Sequence, residues 1–388
     1  MIGDGMKITI AIDSFKGSLS SMEAGYAAME GVTAAIPDAE VYVRPLADGG
    51  EGTVEALADG MGGRIHSVTV TGPLGAPVEC SYCIIEKEKT AIIEMSGAAG
   101  ITLIPAARRN PLYTTTYGVG ETIKDALKKG CRKFIIGIGG SATNDGGIGM
   151  LQALGYGFYD ASGNGAVYGA DGLKNLAVIE DNNVMPELKE SEFFVACDVT
   201  NPLCGENGCS AIYGPQKGAD PQMVELMDGW MQKYAELAEK SFPKADRNCP
   251  GTGAAGGLGF AFLSFLNAVL EPGISIVLRE TKLEHYIKDS ELVITGEGRL
   301  DGQTAMGKAP AGVAGLAKKY EKPVIAFSGC VAEDAGACNS CGIDAFFPIL
   351  RKPVTLEEAM NKNNARRNMT AAVEQAVRLW NAGRELAR

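Results

Sequence analysis

The sequence is poor in the residues on which several common classes of enzyme and binding protein depend. It contains only two histidines, His66 and His285, and neither has sequence neighbours that would complete a metal site or a catalytic triad. This argues against hydrolysis through a Ser-His pair. Basic residues do not cluster, and the formal net charge is −11. Nucleic acid and anionic membranes are therefore poor candidate partners.

Long apolar runs are also missing. No run reaches the length of a transmembrane helix and no signal peptide is recognisable, which predicts a cytoplasmic protein. The sequence contains 10 cysteines, and they are scattered. The close pairs, Cys80 with Cys83 and Cys338 with Cys341, have no second pair at zinc-site spacing. Such scatter is typical of reduced thiols and not of a disulfide scaffold.

Glycine, in contrast, is abundant. The chain has 51 glycines in 388 residues, which predicts many tight turns. Its apolar content of 46% is enough for well-filled cores, and its length favours two domains over one.

The most informative stretch is FIIGIGGSATNDGGIG at residues 134–149. An apolar strand is predicted at its start, then a polar turn rich in glycine, then a helix from Ile148 that Gly155 ends. Glycine lets the backbone approach a ligand closely, and free N–H groups at a helix start favour an anion. A tight turn also needs glycine for steric reasons alone, so this stretch leaves both interpretations open.

Alternation of strands and helices sets the predicted fold class, which is α/β. Strands and helices alternate at both ends of the chain, which is typical of a doubly wound parallel sheet. Between them, 64–70, 78–85 and 90–95 predict an antiparallel meander. We predict a discontinuous α/β domain from residues 1–64 and 286–388, and an inserted α/β domain with a mixed sheet at 65–285.

Helix starts are marked by local capping signals. Ser20 with Glu23, and Thr281 with Glu284, have the spacing of a capping box. Asp220 followed by Pro221 predicts an N-cap and a first helical residue.

Acidic residues recur at the ends of predicted strands, each beside glycine, serine, threonine or asparagine. They are Asp13, Asp48, Glu51, Asp145, Asp198, Glu297 and Asp301. One such acid is usually only a turn former, but ligands of parallel sheets bind at strand carboxyl ends. Carboxylates there suit Mg²⁺, or accept a hydroxyl proton during phosphoryl transfer. Candidate cations for an anionic ligand are Lys16, Lys217, Lys308 and Arg109.

Two nucleotide-binding motifs are not matched. GQTAMGKA at residues 302–309 has P-loop spacing, but Ala309 replaces the hydroxyl residue that should reach Mg²⁺. No Gly-x-Gly-x-x-Gly directly follows the first predicted strand, which argues against a dinucleotide-dependent oxidoreductase.

Six longer motifs resemble the type 1 glycerate kinase family. They are IAIDSFKGSLS at 10–20, PLADGGEGT at 45–53, GIGGSATNDGG at 137–147, DVTNPLCGENG at 198–208, GPQKGA at 214–219 and GEGRLD at 296–301. The resemblance covers nearly the whole chain in order, although Cys204 and Cys209 stand where aliphatic or small residues are expected. It implies ATP-dependent phosphorylation of D-glycerate with Mg²⁺, most simply at the 2-hydroxyl. It also implies a flavodoxin-like domain split by an inserted second domain, with the site in the cleft between them.

The predicted site follows from these motifs. The expected catalytic residues are Asp198, Asp48 and Lys16, and the expected metal ligands are Glu297 and Asp301. The expected residues for substrate or phosphate are Asp13, Ser14, Gly49, Gly50, Glu51, Ser96, Gly97, Arg109, Gly139, Gly140, Ser141, Ala142, Thr143, Asn144, Asp145, Asn201, Lys217 and Lys308. The expected partners are small molecules, D-glycerate and ATP, with a homodimer left open.

Three alternatives remain at this stage. The enzyme could phosphorylate the 3-hydroxyl of glycerate, or it could act on another small hydroxy acid. The chain could also be a non-catalytic regulator that binds a sugar acid or nucleotide, although such a protein would tolerate loss of the seven acids.

Overall fold

The computed structural model describes residues 5–47 and 52–386. These residues form two compact units. Unit 1 comprises residues 5–47, 55–62 and 274–386, and unit 2 comprises 52–54 and 63–273. The domain boundaries predicted above stay a prediction. None of the helices in the described residues is both long enough and apolar enough to cross a membrane.

The strands of the described residues, in chain order, are β1 (Lys7–Ile12), β2 (Glu40–Pro45), β3 (Arg64–Thr71), β4 (Pro77–Ile85), β5 (Thr90–Glu94), β6 (Lys133–Gly137), β7 (Gly157–Asp160), β8 (Leu176–Glu180), β9 (Glu192–Ala196), β10 (Val269–Glu271), β11 (Leu292–Leu300), β12 (Val324–Val331) and β13 (Ala345–Pro348).

The α-helices are α1 (Ser21–Ala35), α2 (Thr53–Met61), α3 (Ser96–Ala99), α4 (Tyr117–Lys128), α5 (Ile148–Ala153), α6 (Cys209–Tyr213), α7 (Pro221–Ser241), α8 (Ala254–Leu266), α9 (Gly273–Glu280), α10 (Leu283–Lys288), α11 (Ala309–Lys318), α12 (Ala337–Ser340), α13 (Leu356–Met360) and α14 (Lys362–Leu386).

Unit 1 is built on a parallel sheet of five strands in the order β13-β12-β11-β1-β2. Every neighbouring pair is parallel. Strand β1 is apolar and buried because it lies inside the sheet with helices against it, and Ile8, Ile10 and Ile12 join the core of this unit. The carboxyl ends of these strands therefore lie along one edge of the sheet.

Unit 2 contains a mixed sheet of six strands in the order β10-β9-β6-β5-β4-β3. The predicted meander is present, because β3, β4 and β5 pair antiparallel. Strands β5, β6, β9 and β10 pair parallel, so β6 and β9 end at the same edge. Parallel and mixed sheets with packed helices confirm the α/β fold class.

One of the two predicted capping boxes forms. Ser20 accepts the Glu23 N–H and Glu23 accepts the Ser20 N–H at the start of α1. The predicted box at Thr281 is wrong, because the N-cap of α10 is Lys282 and the Thr281 hydroxyl donates to the Val277 carbonyl of the preceding helix. The predicted cap at Asp220 is confirmed, since its side chain accepts the Met223 N–H.

Strand β11 is longer than the sequence pattern indicates. Glu297 was expected at the end of a strand, but residues 296–300 continue the strand and pair with β12. A Cβ at Gly296 would lie 2.1 Å from the Phe327 carbonyl oxygen, so only glycine fits this close approach. The extension carries Glu297 within the sheet.

Candidate functional site

The predicted residues of unit 1 gather where β1 and β11 end. Asp13 directly follows β1; its N–H donates to the Gly296 carbonyl at 2.9 Å and its Oδ1 accepts the Ser14 N–H at 2.6 Å. Lys16 follows in the same loop with an exposed side chain. A Cβ at Gly298 would lie 3.6 Å from the Cα of Phe15 in that loop. The end of β11 therefore lies against the loop that carries Asp13, Ser14 and Lys16.

The two predicted metal ligands are connected through one threonine. The Thr304 hydroxyl donates to Glu297 Oε1 at 2.6 Å, and the Thr304 N–H donates to Asp301 Oδ1 at 3.3 Å. Asp301 Oδ2 also lies 3.3 Å from Arg299 Nε. Lys308 is the N-cap of α11, and its N–H donates to the Thr304 carbonyl. Sequence reasoning missed Thr304, although its place three residues after Asp301 was the available signal.

The described residues contain no group of three or more histidine, cysteine or acidic side chains that could hold a metal together. Mg²⁺ commonly uses one or two protein carboxylates and takes its other ligands from phosphate and water. Two hard carboxylates tied to one threonine therefore fit Mg²⁺. The predicted site residues Asp48, Gly49, Gly50 and Glu51 lie outside the described residues.

The predicted residues of unit 2 gather at the turn that follows β6. Gly139 and Gly140 are exposed in that turn. The Ile101 N–H donates to the Gly140 carbonyl at 2.8 Å, and the Ala142 N–H donates to the Ala99 carbonyl at 2.9 Å. A Cβ at Gly140 would lie 3.6 Å from the Ser96 Cβ. The structure thus brings Ser96 and Gly97 beside the exposed part of the turn.

The rest of the turn is buried. Ala142 is 2% exposed, and Thr143, Asn144 and Asp145 are fully buried. The Asn144 side-chain amide donates to Ser210 Oγ at 2.9 Å. Thr143 Oγ1 and Asn144 Oδ1 are buried without a hydrogen-bond partner among the described residues. These side chains face the interior of unit 2, whereas Gly139 and Gly140 are exposed and Ser141 is 9% exposed.

Asp145 was expected to bind substrate, and the structure shows its carboxylate bonded within the protein. Its Oδ2 accepts the N–H and the hydroxyl of Thr116, both at 2.8 Å, and its Oδ1 accepts the Gly147 N–H at 3.0 Å. Burial raises the pKa of this carboxyl group, while the donors from Thr116 and Gly147 oppose the shift. With both oxygens bonded to protein donors, Asp145 connects the turn to the start of α4, and its expected contact with substrate stays a prediction.

A run of three buried threonines holds the same turn. The Thr114 hydroxyl donates to the Ala142 carbonyl at 2.9 Å, and Thr115 Oγ1 accepts the Tyr117 N–H at 3.1 Å. Thr116, the N-cap of α4, makes no side-chain cap and bonds Asp145 instead. None of these threonines was among the predicted site residues, so their contribution to the turn was missed.

Lys217 is buried behind the turn. Its ammonium group donates to Ser141 Oγ at 2.7 Å and to the Thr143 carbonyl at 2.6 Å. Burial lowers the pKa of Lys217 to about 8, with smaller opposing effects from Cys209 and Asp145. Lys217 is 2% exposed, so its side chain does not extend toward solvent, and its expected contact with substrate or phosphate stays a prediction.

Arg109 lies close to the segment that follows Lys217. A Cβ at Gly218 would lie 2.3 Å from the Arg109 carbonyl oxygen. The Nε of Arg109 is buried without a hydrogen-bond partner among the described residues. The structure therefore joins the 109 and 217 regions, which are distant in sequence.

Asp198 and Asn201 follow β9, two places from β5 in the same sheet. Asp198 is exposed, and its Oδ1 accepts the Gly273 N–H at 3.0 Å. Asn201 donates to the Asn207 carbonyl and accepts the Tyr213 hydroxyl at 2.6 Å. Asp198 therefore lies at the surface and Asn201 is bonded within the loop 201–213, and their expected roles toward substrate stay predictions.

Substitution of Gly256 tests how tightly the turn is held. Gly256 has a φ of +67°, and an added Cβ would lie 2.0 Å from the Thr143 carbonyl oxygen. Gly130 has a φ of +89° and open space around its Cα. We expect Gly130→Ala to cost about 1 kcal/mol of unfolding free energy, and Gly256→Ala about 2 kcal/mol more. Equal shifts of the urea midpoint for the two variants would contradict this packing.

The lowered pKa of Lys217 predicts a pH dependence of stability. An unfolded lysine titrates near 10.4, whereas Lys217 in the folded chain titrates at about 8. Between these two pKa values the unfolded chain binds more protons than the folded chain does. The contribution of Lys217 to the unfolding free energy therefore rises with pH. Relative to Lys217→Met, the wild type should gain about 2 kcal/mol between pH 7 and pH 9.5. Urea unfolding that gives the same difference in unfolding free energy between the two proteins at both pH values would contradict this prediction.

Comparison with known proteins places the chain in one family. A family model described as the glycerate kinase family matches residues 8–381. The chain is 48% identical to Glycerate 2-kinase of Escherichia coli K12 over 381 residues, which covers 97% of this chain and 100% of that protein. It is 48% identical to Glycerate kinase of Bacillus subtilis 168 over 354 residues, covering 91% of this chain and 93% of that protein.

A solved structure is similar over the same length. It is a crystal structure described as that of a glycerate kinase 2 from Salmonella typhimurium LT2, with a TM-score of 0.91 and 45% identity. The match covers 98% of this chain and 100% of that one. With a family model matching almost the full length and several relatives above 40% identity, the chain belongs to the glycerate kinase family.

Proposed function

We propose that the protein transfers the γ-phosphoryl group of ATP directly to the 2-hydroxyl of D-glycerate and releases 2-phospho-D-glycerate. Family membership supports a glycerate kinase, and the name of the Escherichia coli relative supports the 2-position. The observation that carries the proposal structurally is the turn at residues 139–141, in which Gly139 and Gly140 are exposed and Ser141 accepts a hydrogen bond from the buried ammonium group of Lys217. This combination suits the binding of a small anion.

The anion of the reaction binds at that turn. Glycine at 139 and 140 leaves the backbone accessible, and Ser141 and Ser96 supply hydroxyl groups beside it. A carboxylate or a phosphoryl oxygen has the charge and the acceptor capacity for this surface. Positioning of this kind and charge neutralisation account for most of the catalysis in phosphoryl transfer.

Asp198 accepts the proton of the reacting hydroxyl. Its carboxylate lies at the carboxyl end of β9 and is exposed, and one oxygen is oriented by the Gly273 N–H. A base in this role must be ionised at neutral pH and within hydrogen-bond reach of the substrate. Asp48 is the second candidate for the same role.

Unit 1 has groups that suit phosphate and a metal ion. Glu297 and Asp301 would hold Mg²⁺, which when bound neutralises charge on the phosphoryl oxygens. Thr304 keeps the two carboxylates in one arrangement, since it contacts both. Lys16 and Lys308 supply positive charge toward phosphate.

The finer fold assignment is also a proposal. Numbered along the chain within unit 1, the strands lie in the order 2-1-3-4-5, which is the order of flavodoxin-like sheets. We propose that unit 1 is flavodoxin-like and that unit 2 is inserted into it. Asp13 then follows β1, and Glu297 lies in the adjacent strand β11 directly after the Ile12–Gly296 pair, at the edge where such sheets bind ligands.

Release of ADP tests the proposed activity. The purified protein is given ATP and Mg²⁺ with D-glycerate, L-glycerate, glycolate or no acceptor, and ADP is measured by a coupled assay. ADP release that requires D-glycerate supports the proposal. Faster release with another hydroxy acid would identify that acid as the substrate instead. No release with any acceptor, while ATP binds, would favour the non-catalytic regulator.

A further inference from the structure

The contact between Lys217 and Ser141 has a consequence for the hydroxyl proton of Ser141. A charged ammonium group can only donate hydrogen bonds, so Ser141 Oγ is the acceptor in the 2.7 Å contact with Lys217. The Ser141 hydroxyl then keeps its own proton for another acceptor. Within the described part of the chain, none of the hydrogen bonds has Ser141 Oγ as a donor to a protein acceptor.

The second contact of Lys217 fixes its position. Its ammonium group also donates to the Thr143 carbonyl at 2.6 Å, so it bridges two alternate residues of one turn. Thr143 is fully buried and Ser141 is 9% exposed, which sets the buried cation on the interior side of the turn. Gly139 and Gly140 occupy the exposed side.

We propose that Lys217 is a positioning residue that commits the Ser141 hydroxyl to donate to an anionic oxygen of the ligand held at residues 139–141. The proposal rests on the anion site of the proposed function and goes beyond it, because Lys217 acts through Ser141 and does not touch the ligand. The ligand oxygen belongs to a carboxylate or to a phosphoryl group, which share charge and acceptor chemistry. The ligand that supplies this oxygen is D-glycerate or ATP, and the test below distinguishes the two.

The charge state of Lys217 decides the direction of this hydrogen bond. Once the amine is neutral it can accept from Ser141, and the hydroxyl is no longer committed to the ligand. Burial places the pKa of Lys217 at about 8. The ionisable groups that face it are Asp145 in the turn and Cys209 of α6, and burial raises the pKa of Cys209 to about 12. Cys209 therefore stays neutral through the range in which Lys217 titrates.

Binding titrations over pH test the proposal. Wild type and Ser141→Ala are titrated calorimetrically with D-glycerate, and separately with ATP, between pH 6.5 and 9.5. For the ligand that uses the turn, wild-type affinity should fall about tenfold as pH rises through the Lys217 pKa. Ser141→Ala should bind about tenfold more weakly at pH 7 and show little further change. An equal fall with pH in Ser141→Ala would overturn the proposal.

A double-mutant comparison gives a second readout. Lys217→Met should weaken the same ligand about as much as Ser141→Ala, and the double variant should be no weaker than either. Lys233→Met, an exposed lysine on α7, is the matched control and should bind as wild type does. Losses of affinity that add in the double variant would show that Lys217 does not act through Ser141. Should Lys217→Met fail to fold, the pH profile of Ser141→Ala decides alone; a wild type that binds neither ligand would overturn the proposed function as well.

Discussion

Asp198→Asn is expected to lower kcat by roughly 10²- to 10⁴-fold with little change in stability. The carboxylate follows β9, is exposed, and keeps one oxygen on the Gly273 N–H at 3.0 Å. Asparagine can still accept that N–H through its amide oxygen, so the local backbone should be preserved. It cannot take the proton of the reacting hydroxyl, so the loss should fall on kcat and leave the KM for ATP nearly unchanged.

Asp160→Asn is the matched control for this variant. Asp160 also accepts backbone N–H groups, from Ser162 and Asn164, but it lies in the β7–β8 region of unit 2. Its replacement should leave kcat within about twofold of wild type. A wild-type kcat for Asp198→Asn would show that Asp198 does not accept the proton, and Asp48 would then be the candidate base.

Asp145→Ala is expected to destabilise the protein by roughly 3 to 5 kcal/mol. The substitution removes the acceptor of the Thr116 N–H, the Thr116 hydroxyl and the Gly147 N–H. These donors are buried with Asp145, so they lose their partner without gaining water. The turn at residues 139–145 would lose its connection to α4 at the same time.

Asp220→Ala gives the scale for that measurement. Asp220 accepts one N–H, from Met223, at the exposed start of α7, and its loss should cost about 1 kcal/mol. The two variants are compared by urea unfolding and thermal melting. Similar midpoints would contradict the structural role assigned to Asp145.

Local signals in the sequence predicted the antiparallel meander and two helix starts. The cap at Asp220 and the box at Ser20 depend on neighbours within a few residues. The predicted box at Thr281 does not form for an equally local reason, because the Thr281 hydroxyl donates to the Val277 carbonyl of α9. The same spacing therefore caps a helix only where the preceding chain leaves the hydroxyl available.

The roles of individual acids and cations could not be predicted in the same way. Asp145 and Asp198 each follow a strand and lie beside turn residues, yet one is fully buried and the other exposed. The difference comes from Thr116, which lies 29 residues from Asp145 in sequence and donates to it twice. Likewise, the buried Lys217 donates to Ser141, 76 residues away. Such long-range partners leave no local pattern.

Phosphorus NMR of the reaction products tests the central claim most directly. The protein is incubated with ATP, Mg²⁺ and D-glycerate, and the product resonance is compared with authentic 2-phosphoglycerate and 3-phosphoglycerate. We predict a 2-phosphoglycerate signal that grows as the γ-phosphate signal of ATP declines. A 3-phosphoglycerate signal would contradict the assigned position, and a folded, ATP-binding protein that forms neither product would contradict glycerate phosphorylation itself.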